Sequence, residues 1–206
     1  HEHARLLLGS VRYASAGTIE FLYDDDADEY YFLEVNTRLQ VEHGVTELVY
    51  GVDIVEWMLR LAAGGLPDIE VQQEQIAPSG CAIQVRLYAE DPYENFKPTP
   101  GAVRINCPDQ GRIDTWISST SAVSHWYDPL LANVIAHGLS REETVTRLID
   151  VLDETQTYGA ATNLALLRQA IDDRRFRAGQ VSTKFLELLD YEANEIEIVR
   201  PSLETT

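Results

Sequence analysis

FLEVNTRLQVEH, residues 32–43, splits in two when read in steps of two. Leu33, Val35, Leu39 and Val41, with Thr37 among them, form one set; Glu34, Asn36, Arg38, Gln40 and Glu42 form the other. A strand sends alternate side chains to opposite faces. The pattern therefore predicts a strand over Tyr30–Val41 with one apolar face and one row of carboxylates, amides and a guanidinium. Upstream, AGTIEFLYD (residues 16–24) reads as a second strand and DDADE (residues 25–29) as an acidic turn. An antiparallel hairpin is the simplest arrangement, and it would set Glu20 beside Glu34.

Alternation alone reads first as a solvated sheet face. Three features argue for more. Asn36 is a poor strand former, the polar row mixes residue types that solvated strands do not favour, and Glu20 brings a further carboxylate from the neighbouring strand. Two carboxylates and an amide at close range suit a hard cation such as Mg2+, which takes one or two carboxylates together with substrate phosphates. Arg38 offers a planar fork for a carboxylate, carbonate or phosphate oxygen, and Gln40 can hydrogen-bond the same anion. Glu42, beyond the cation pair, has the chemistry of a general base.

The rest of the chain narrows the choices. Sixteen basic residues stand against 34 acidic ones in 206, for a net charge of -18. Such a surface repels phosphate backbones and anionic lipid, so nucleic acid and membrane are excluded as partners. Lys97 and Lys184 are the only lysines, few for a chain that would grip a nucleoside triphosphate unaided. Cys81 and Cys107 form no paired ligand motif and read as reduced thiols of a cytoplasmic protein. No Met precedes His1, and LLLGSVRYA looks like a helix end, so a piece of a longer polypeptide is expected.

DIVEWMLRLAAGG (residues 53–65) reads as a helix capped by Asp53 and stopped at Gly64 and Gly65. Strands are expected at Cys81–Ala89, AVRIN, RIDTWI and Leu130–Ala136, with GRID and SSTS as turns. Helices are expected at REETVTRLIDVLDET, TNLALLRQAIDD and STKFLELLD, and a short strand-like run at Ile196–Val199.

FLEVNTRL resembles a signature of the biotin carboxylase and carbamoyl-phosphate synthetase group within the ATP-grasp superfamily. GTIEFLY, VTELVYGVDIVEWMLRLAAG, GCAIQVRLYAEDP, KPTPG, HWYDPLLANVIAHG and YGAATNLALL extend the resemblance over Ala16–Leu189. It implies an α+β fold: the second half of an ATP-grasp domain with an antiparallel sheet (residues 1–78), then the helical and small-sheet C-terminal subdomain of biotin carboxylase (residues 79–190). Residues 191–206 would be a linker or the start of a following domain.

By position, the resemblance implies Glu20 and Glu34 as Mg2+ (or Mn2+) ligands with Asn36 in that shell. Arg38, Gln40 and the backbone of Val41 would bind bicarbonate, and Glu42 would take its proton. Arg86 would steady carboxyphosphate and the biotin enolate, and Asp128 would be a carboxylate behind the site or at an interface rather than a catalytic group. The implied reaction is ATP-dependent carboxylation of biotin on a carrier domain. The implied partners are an upstream ATP-grasp half, that biotin carboxyl carrier domain, a carboxyltransferase-type domain and a homodimer mate. Gly44 stands where most of the family has Pro, and it resembles the urea carboxylase branch, found alone or inside urea amidolyase; RIDTWI and the ending IEIVRPSLETT do too. An acetyl-CoA, propionyl-CoA or pyruvate carboxylase is the alternative acceptor class, and a non-catalytic assembly module is the alternative of another kind. Isolated from its glycine-rich lid, the segment is expected to be inactive.

Overall fold

The computed structural model describes residues 2–65 and 69–191, and the side chains of residues 69–71 are not among those described. The elements run α1 (Glu2–Ser10), β1 (Thr18–Asp24), β2 (Glu29–Asn36), α2 (His43–Tyr50), α3 (Ile54–Ala62), α4 (Ile69–Gln75), β3 (Cys81–Tyr88), β4 (Glu90–Asp91), β5 (Lys97–Pro98), β6 (Gly101–Asn106), β7 (Arg112–Thr115), β8 (Ser121–Val123), β9 (Leu130–Gly138), α5 (Arg141–Glu154), β10 (Gln156–Tyr158), α6 (Leu164–Asp172) and α7 (Arg174–Arg177). They form two compact units, residues 1–84 with 137–140, and residues 85–136 with 141–206, and the division falls within β3 and β9. The strand-like run at 196–199, and the tail of which it is part, lie outside the described residues.

In the first unit, β1 and β2 pair as an antiparallel hairpin. The turn is closed by Asp24, whose Oδ1 accepts from Asp26 N and Ala27 N at 3.0 and 3.1 Å, an Asx turn of the kind a short carboxylate makes. The register passes from Glu20 opposite Glu34 to Phe21 opposite Phe32, so Leu33 is the extra residue of a β-bulge. The bulge interrupts the two-face pattern, and neither face is buried: Leu33 is 61% exposed, and Leu22, Tyr31 and Phe32 are exposed too. On one side Phe21 meets Tyr30 and Phe32 edge-on, and Tyr30 meets His3 of α1.

The strand is also shorter than the alternation predicts. β2 ends at Asn36, not Val41, because its partner runs out: Thr18 is the first residue of β1 and faces Asn36. A Cβ on Gly17 would lie 3.0 Å from Asn36 O, so the backbones close together here and then part. Beyond Asn36 the chain bends at Arg38, turns at Val41 and Glu42 and enters α2, with Glu42 at the N-cap position. α3 begins as expected, with Asp53 accepting from Glu56 N at 2.7 Å.

The second unit holds the main core, in which Leu87, Val103, Leu131 and Ala132 are buried together and Leu164 and Leu167 pack against them. β9 is the central strand of the order β3-β9-β7 and is buried along nearly its whole length, as a strand covered on both faces must be. β6 lies between β10 and β8 in a second sheet. Val145, Leu148, Ile149 and Leu152 give α5 its buried stripe at helical spacing.

The expected RIDTWI strand is present as β7 over Arg112–Thr115, and the bend before it lies at residues 109–111 rather than across GRID. Elsewhere the expectations fail. β8 and β10 were hidden behind the SSTS turn and the end of the α5 pattern. STKFLELLD contains only a 3-10 turn at Leu186–Leu188. Its backbone bonds are turn bonds such as Phe185 N to Ser182 O at 2.9 Å, with Ser182 Oγ accepting from Lys184 N at 3.4 Å and Leu188 O accepting from both terminal nitrogens of Arg175 at 3.5 Å.

Candidate functional site

The hairpin sets Glu20 and Glu34 directly opposite one another. Opposed strand residues have Cβ atoms about 5 Å apart, and two unit charges at that separation repel by about 1–3 kcal/mol near a protein surface. Asn36 answers that repulsion. Its Nδ2 donates to Glu20 Oε1 at 2.8 Å and to Glu34 Oε1 at 2.9 Å. Gln40 Nε2 approaches the same Glu20 oxygen at 3.4 Å. Asn36 belongs to the strand end because its amide is held by these carboxylates, which offsets its poor strand propensity.

The donor set suits a hard divalent cation. Two carboxylates face one point, and a half-turn of the Asn36 amide would put Oδ1 where Nδ2 now sits. Among the described residues no cluster of three or more His, Cys, Asp and Glu side chains could hold a metal. A cation here would draw its remaining ligands from phosphates and water, as Mg2+ characteristically does.

Next to this cluster lies a cleft of about 280 Å3, lined among others by Gly17, Thr18, Arg38, Gln40, Glu42 and His43. Arg38 donates from Nη1 to Leu39 O at 3.3 Å. Its side chain is exposed. The turn that carries Glu42 is tied down from two sides: His43 Nδ1 lies 2.8 Å from Gln40 O, and Gln84 Nε2 donates to Val41 O at 3.2 Å. The predicted residues Glu20, Glu34, Asn36, Arg38, Gln40, Val41 and Glu42 thus share one unit, although the last four leave the strand on which their alternation placed them.

Arg86 and Asp128 lie in the second unit. Arg86, Tyr88 and Glu90 are half-buried positions that alternate with buried Val85, Leu87 and Ala89. Asn163 fastens this strand: its Oδ1 accepts from Tyr88 N at 2.9 Å and its Nδ2 donates to Arg86 O at 3.1 Å. Asn163 stands at the N-cap position of α6, yet makes no capping bond there. Sequence reasoning missed it, because an Asn before an apolar run signals a cap and nothing local reveals a partner on β3. Asp128 is exposed, and its Oδ1 accepts from Leu130 N at 2.9 Å. Burial, and then the charge of Asp128, push the Glu90 carboxyl above the usual range.

Two families of domain match this chain. The biotin carboxylase C-terminal domain covers residues 84–188, and the ATP-binding domain of the carbamoyl-phosphate synthase L chain covers residues 1–68. The chain belongs to the biotin carboxylase family. It is 45% identical over 201 residues to the urea amidolyase of Saccharomyces cerevisiae, spanning 97% of this chain and 11% of that protein. The crystal structure of Kluyveromyces lactis urea carboxylase superposes with a TM-score of 0.85 at 45% identity, covering 91% of this chain and 16% of that one. The biotin carboxylase domain dimer of Hydrogenobacter thermophilus 2-oxoglutarate carboxylase, solved with MgADP, ADP and bicarbonate, superposes at 0.81 with 37% identity over 87% of this chain and 40% of that one. The α+β arrangement is therefore that of biotin carboxylase domains of the ATP-grasp type. This biotin carboxylase segment spans only a small part of the length of the urea-type relatives it matches.

Proposed function

We propose that this chain is part of a biotin-dependent carboxylase in which ATP and bicarbonate carboxylate biotin held on a carrier domain, with urea as the final acceptor and allophanate as the product. The observation that carries the reading is the Glu20–Asn36–Glu34 cluster beside a cleft lined by Arg38, Gln40 and Glu42. The urea acceptor is supported by Gly44 and by similarity to urea amidolyase across nearly the whole chain.

Glu20, Glu34 and the Asn36 oxygen would hold Mg2+ or Mn2+, which when bound neutralises triphosphate charge and orients the terminal phosphate. Arg38 and Gln40 bind bicarbonate and orient it, with the Val41 N–H as a further donor. Glu42 takes the bicarbonate proton on a carboxylate oxygen, so that a bicarbonate oxygen bonds to the γ-phosphorus of ATP while the bond to ADP breaks, giving carboxyphosphate. Arg86, on the strength of the family resemblance, steadies carboxyphosphate and the biotin enolate by fixed positive charge, and Asp128 is a carboxylate behind the site or at an interface rather than a catalytic group. Residues 1–78 belong to the ATP-grasp half, residues 79–190 to the C-terminal subdomain, and residues 191–206 to a linker or the start of a following domain. An upstream ATP-grasp half, the biotin carrier domain, a carboxyltransferase-type domain and a second copy are the partners. No helix among the described residues is long and apolar enough to cross a membrane, and the cytoplasm, which suits two cysteines outside any disulfide, is the compartment.

The test is Glu42→Gln in the full-length protein. Bicarbonate-dependent ATP hydrolysis falls by about 100-fold or more, the size of a lost general base, with the thermal unfolding profile unchanged. Normal turnover would refute the assignment of the base. Parallel assays with urea and with acyl-CoA acceptors decide the carboxyl acceptor.

A further inference from the structure

His43 is one residue beyond the acid assigned as base, and alternation gave it no role. We propose that His43 is a positioning residue for the anion site: it locks the Gln40–Val41 peptide so that the Val41 N–H is held ready as a donor to bicarbonate. The proposal rests on the bicarbonate reading of Arg38, Gln40 and Val41.

Gln40 O receives two donors from His43. The ring Nδ1 lies 2.8 Å away and the backbone N 3.2 Å away. A carbonyl oxygen only accepts, so Nδ1 carries the hydrogen. The peptide unit is planar and trans, so the Val41 N–H points opposite to the Gln40 carbonyl. The next carbonyl, Val41 O, is held in turn by Gln84 Nε2 at 3.2 Å. Two successive carbonyls are thereby drawn to protein donors. The Val41 N–H has no hydrogen-bond partner among the described residues.

The imidazole lies beside a carboxylate of α2. His43 Nε2 lies 3.8 Å from Glu47 Oε2, one helical turn on. Glu47 is 4% exposed, and its Oε1 accepts from Ile54 N at 2.6 Å, at the start of α3. A line of contacts thus runs from the α3 terminus through Glu47 and His43 to the peptide that presents Val41. His43 also lines the same cleft as Arg38, Gln40 and Glu42. A histidine that merely steadied the start of α2 would affect stability and leave anion affinity alone.

The two roles separate in the full-length protein, assayed by bicarbonate-dependent ATP hydrolysis with bicarbonate and ATP varied independently. Asn at position 43 can place its amide nitrogen where Nδ1 sits, whereas Gln places it nearer Nε2. His43→Leu and His43→Gln are expected to raise the bicarbonate KM about tenfold, the worth of one well-aimed hydrogen bond, with the ATP KM unchanged. His43→Asn is expected to stay within about threefold of the parent. The Gln and Asn pair carries the test should the Leu variant fail to fold. An unchanged bicarbonate KM in folded His43→Gln, or equal values for Gln and Asn, overturns the proposal. Arg38→Ala is the control. If it raises the bicarbonate KM and the His43 variants do not, the positioning role alone falls. If Arg38→Ala leaves it unchanged, the bicarbonate reading falls and the positioning role with it.

Discussion

Asn163→Ala removes the two side-chain bonds from Asn163 to the backbone of β3 and leaves the backbone bond from Asn163 N to Tyr88 O. Asn163 is 7% exposed, and its amide accepts from Tyr88 N at 2.9 Å and donates to Arg86 O at 3.1 Å. A typical hydrogen bond contributes about 0.5–1.5 kcal/mol net, and a buried backbone group left without its partner costs about 1–3 kcal/mol. Leaving Tyr88 N without this acceptor and Arg86 O without this donor should therefore destabilise by about 2–4 kcal/mol. For a chain of this length about 1 kcal/mol moves Tm by roughly 2–4 °C, so the expected fall is about 5–15 °C. Asn163→Asp keeps the acceptor for Tyr88 N and loses the donor to Arg86 O, so its fall should be smaller. Scanning calorimetry on the chain measures the shift, and hydrogen exchange at the Tyr88 amide localises it. A Tm change below about 1 °C together with unaltered Tyr88 protection would show that Asn163 does not hold the strand that carries Arg86.

Two further outcomes follow from other parts of the second unit. The Arg175 guanidinium beside Asp173 holds that carboxyl at about 2, below its ordinary 3.8; a depressed carboxylate contributes stability above its unfolded value and loses it as pH falls through the folded one. Carboxyl NMR should place the Asp173 midpoint near 2, and Arg175→Ala should return it toward 3.8; a midpoint at the ordinary value in the parent chain would refute the pairing. Gly159 has φ of +92°, and a Cβ there would run into Ala102 O. Gly159→Ala should therefore destabilise by more than the roughly 1 kcal/mol that left-handed backbone alone costs a residue with a side chain, read as a fall in the urea midpoint; an unchanged midpoint would mean that this turn is not held as described.

Local sequence determined more of the candidate site than of its shape. The types and order of Glu20, Glu34, Asn36, Arg38, Gln40 and Glu42 could be read directly, because hard-cation, anion and base chemistry each limit which side chains can serve. The hairpin and its pairing of Glu20 with Glu34 followed from period two and an acidic turn. The helices α3 and α5 followed from apolar spacing, and the Asp53 cap from its position. These are local rules, and they hold when burial agrees with them.

Tertiary structure decided the rest. β2 stops at Asn36 because β1 begins at Thr18 and offers no further ladder, so an alternation that ran on to Glu42 no longer meant a strand. The bulge at Leu33 interrupts the alternation by one inserted residue, and Leu33 is exposed together with Leu22, Tyr31 and Phe32, so apolar alternation in this hairpin did not mean burial. STKFLELLD forms only turns and a short 3-10 stretch, with Leu188 O accepting from Arg175, a partner that no spacing in that segment could announce. The bracing of Val41 by His43 and Gln84, and of β3 by Asn163, joins residues far apart in the chain: Gln84 bonds a carbonyl 43 residues away, and Asn163 one 77 away. The linear pattern specified which groups are present. Only the folded chain specified which backbone groups they hold still, because a hydrogen bond depends on distance in space and not on separation along the sequence.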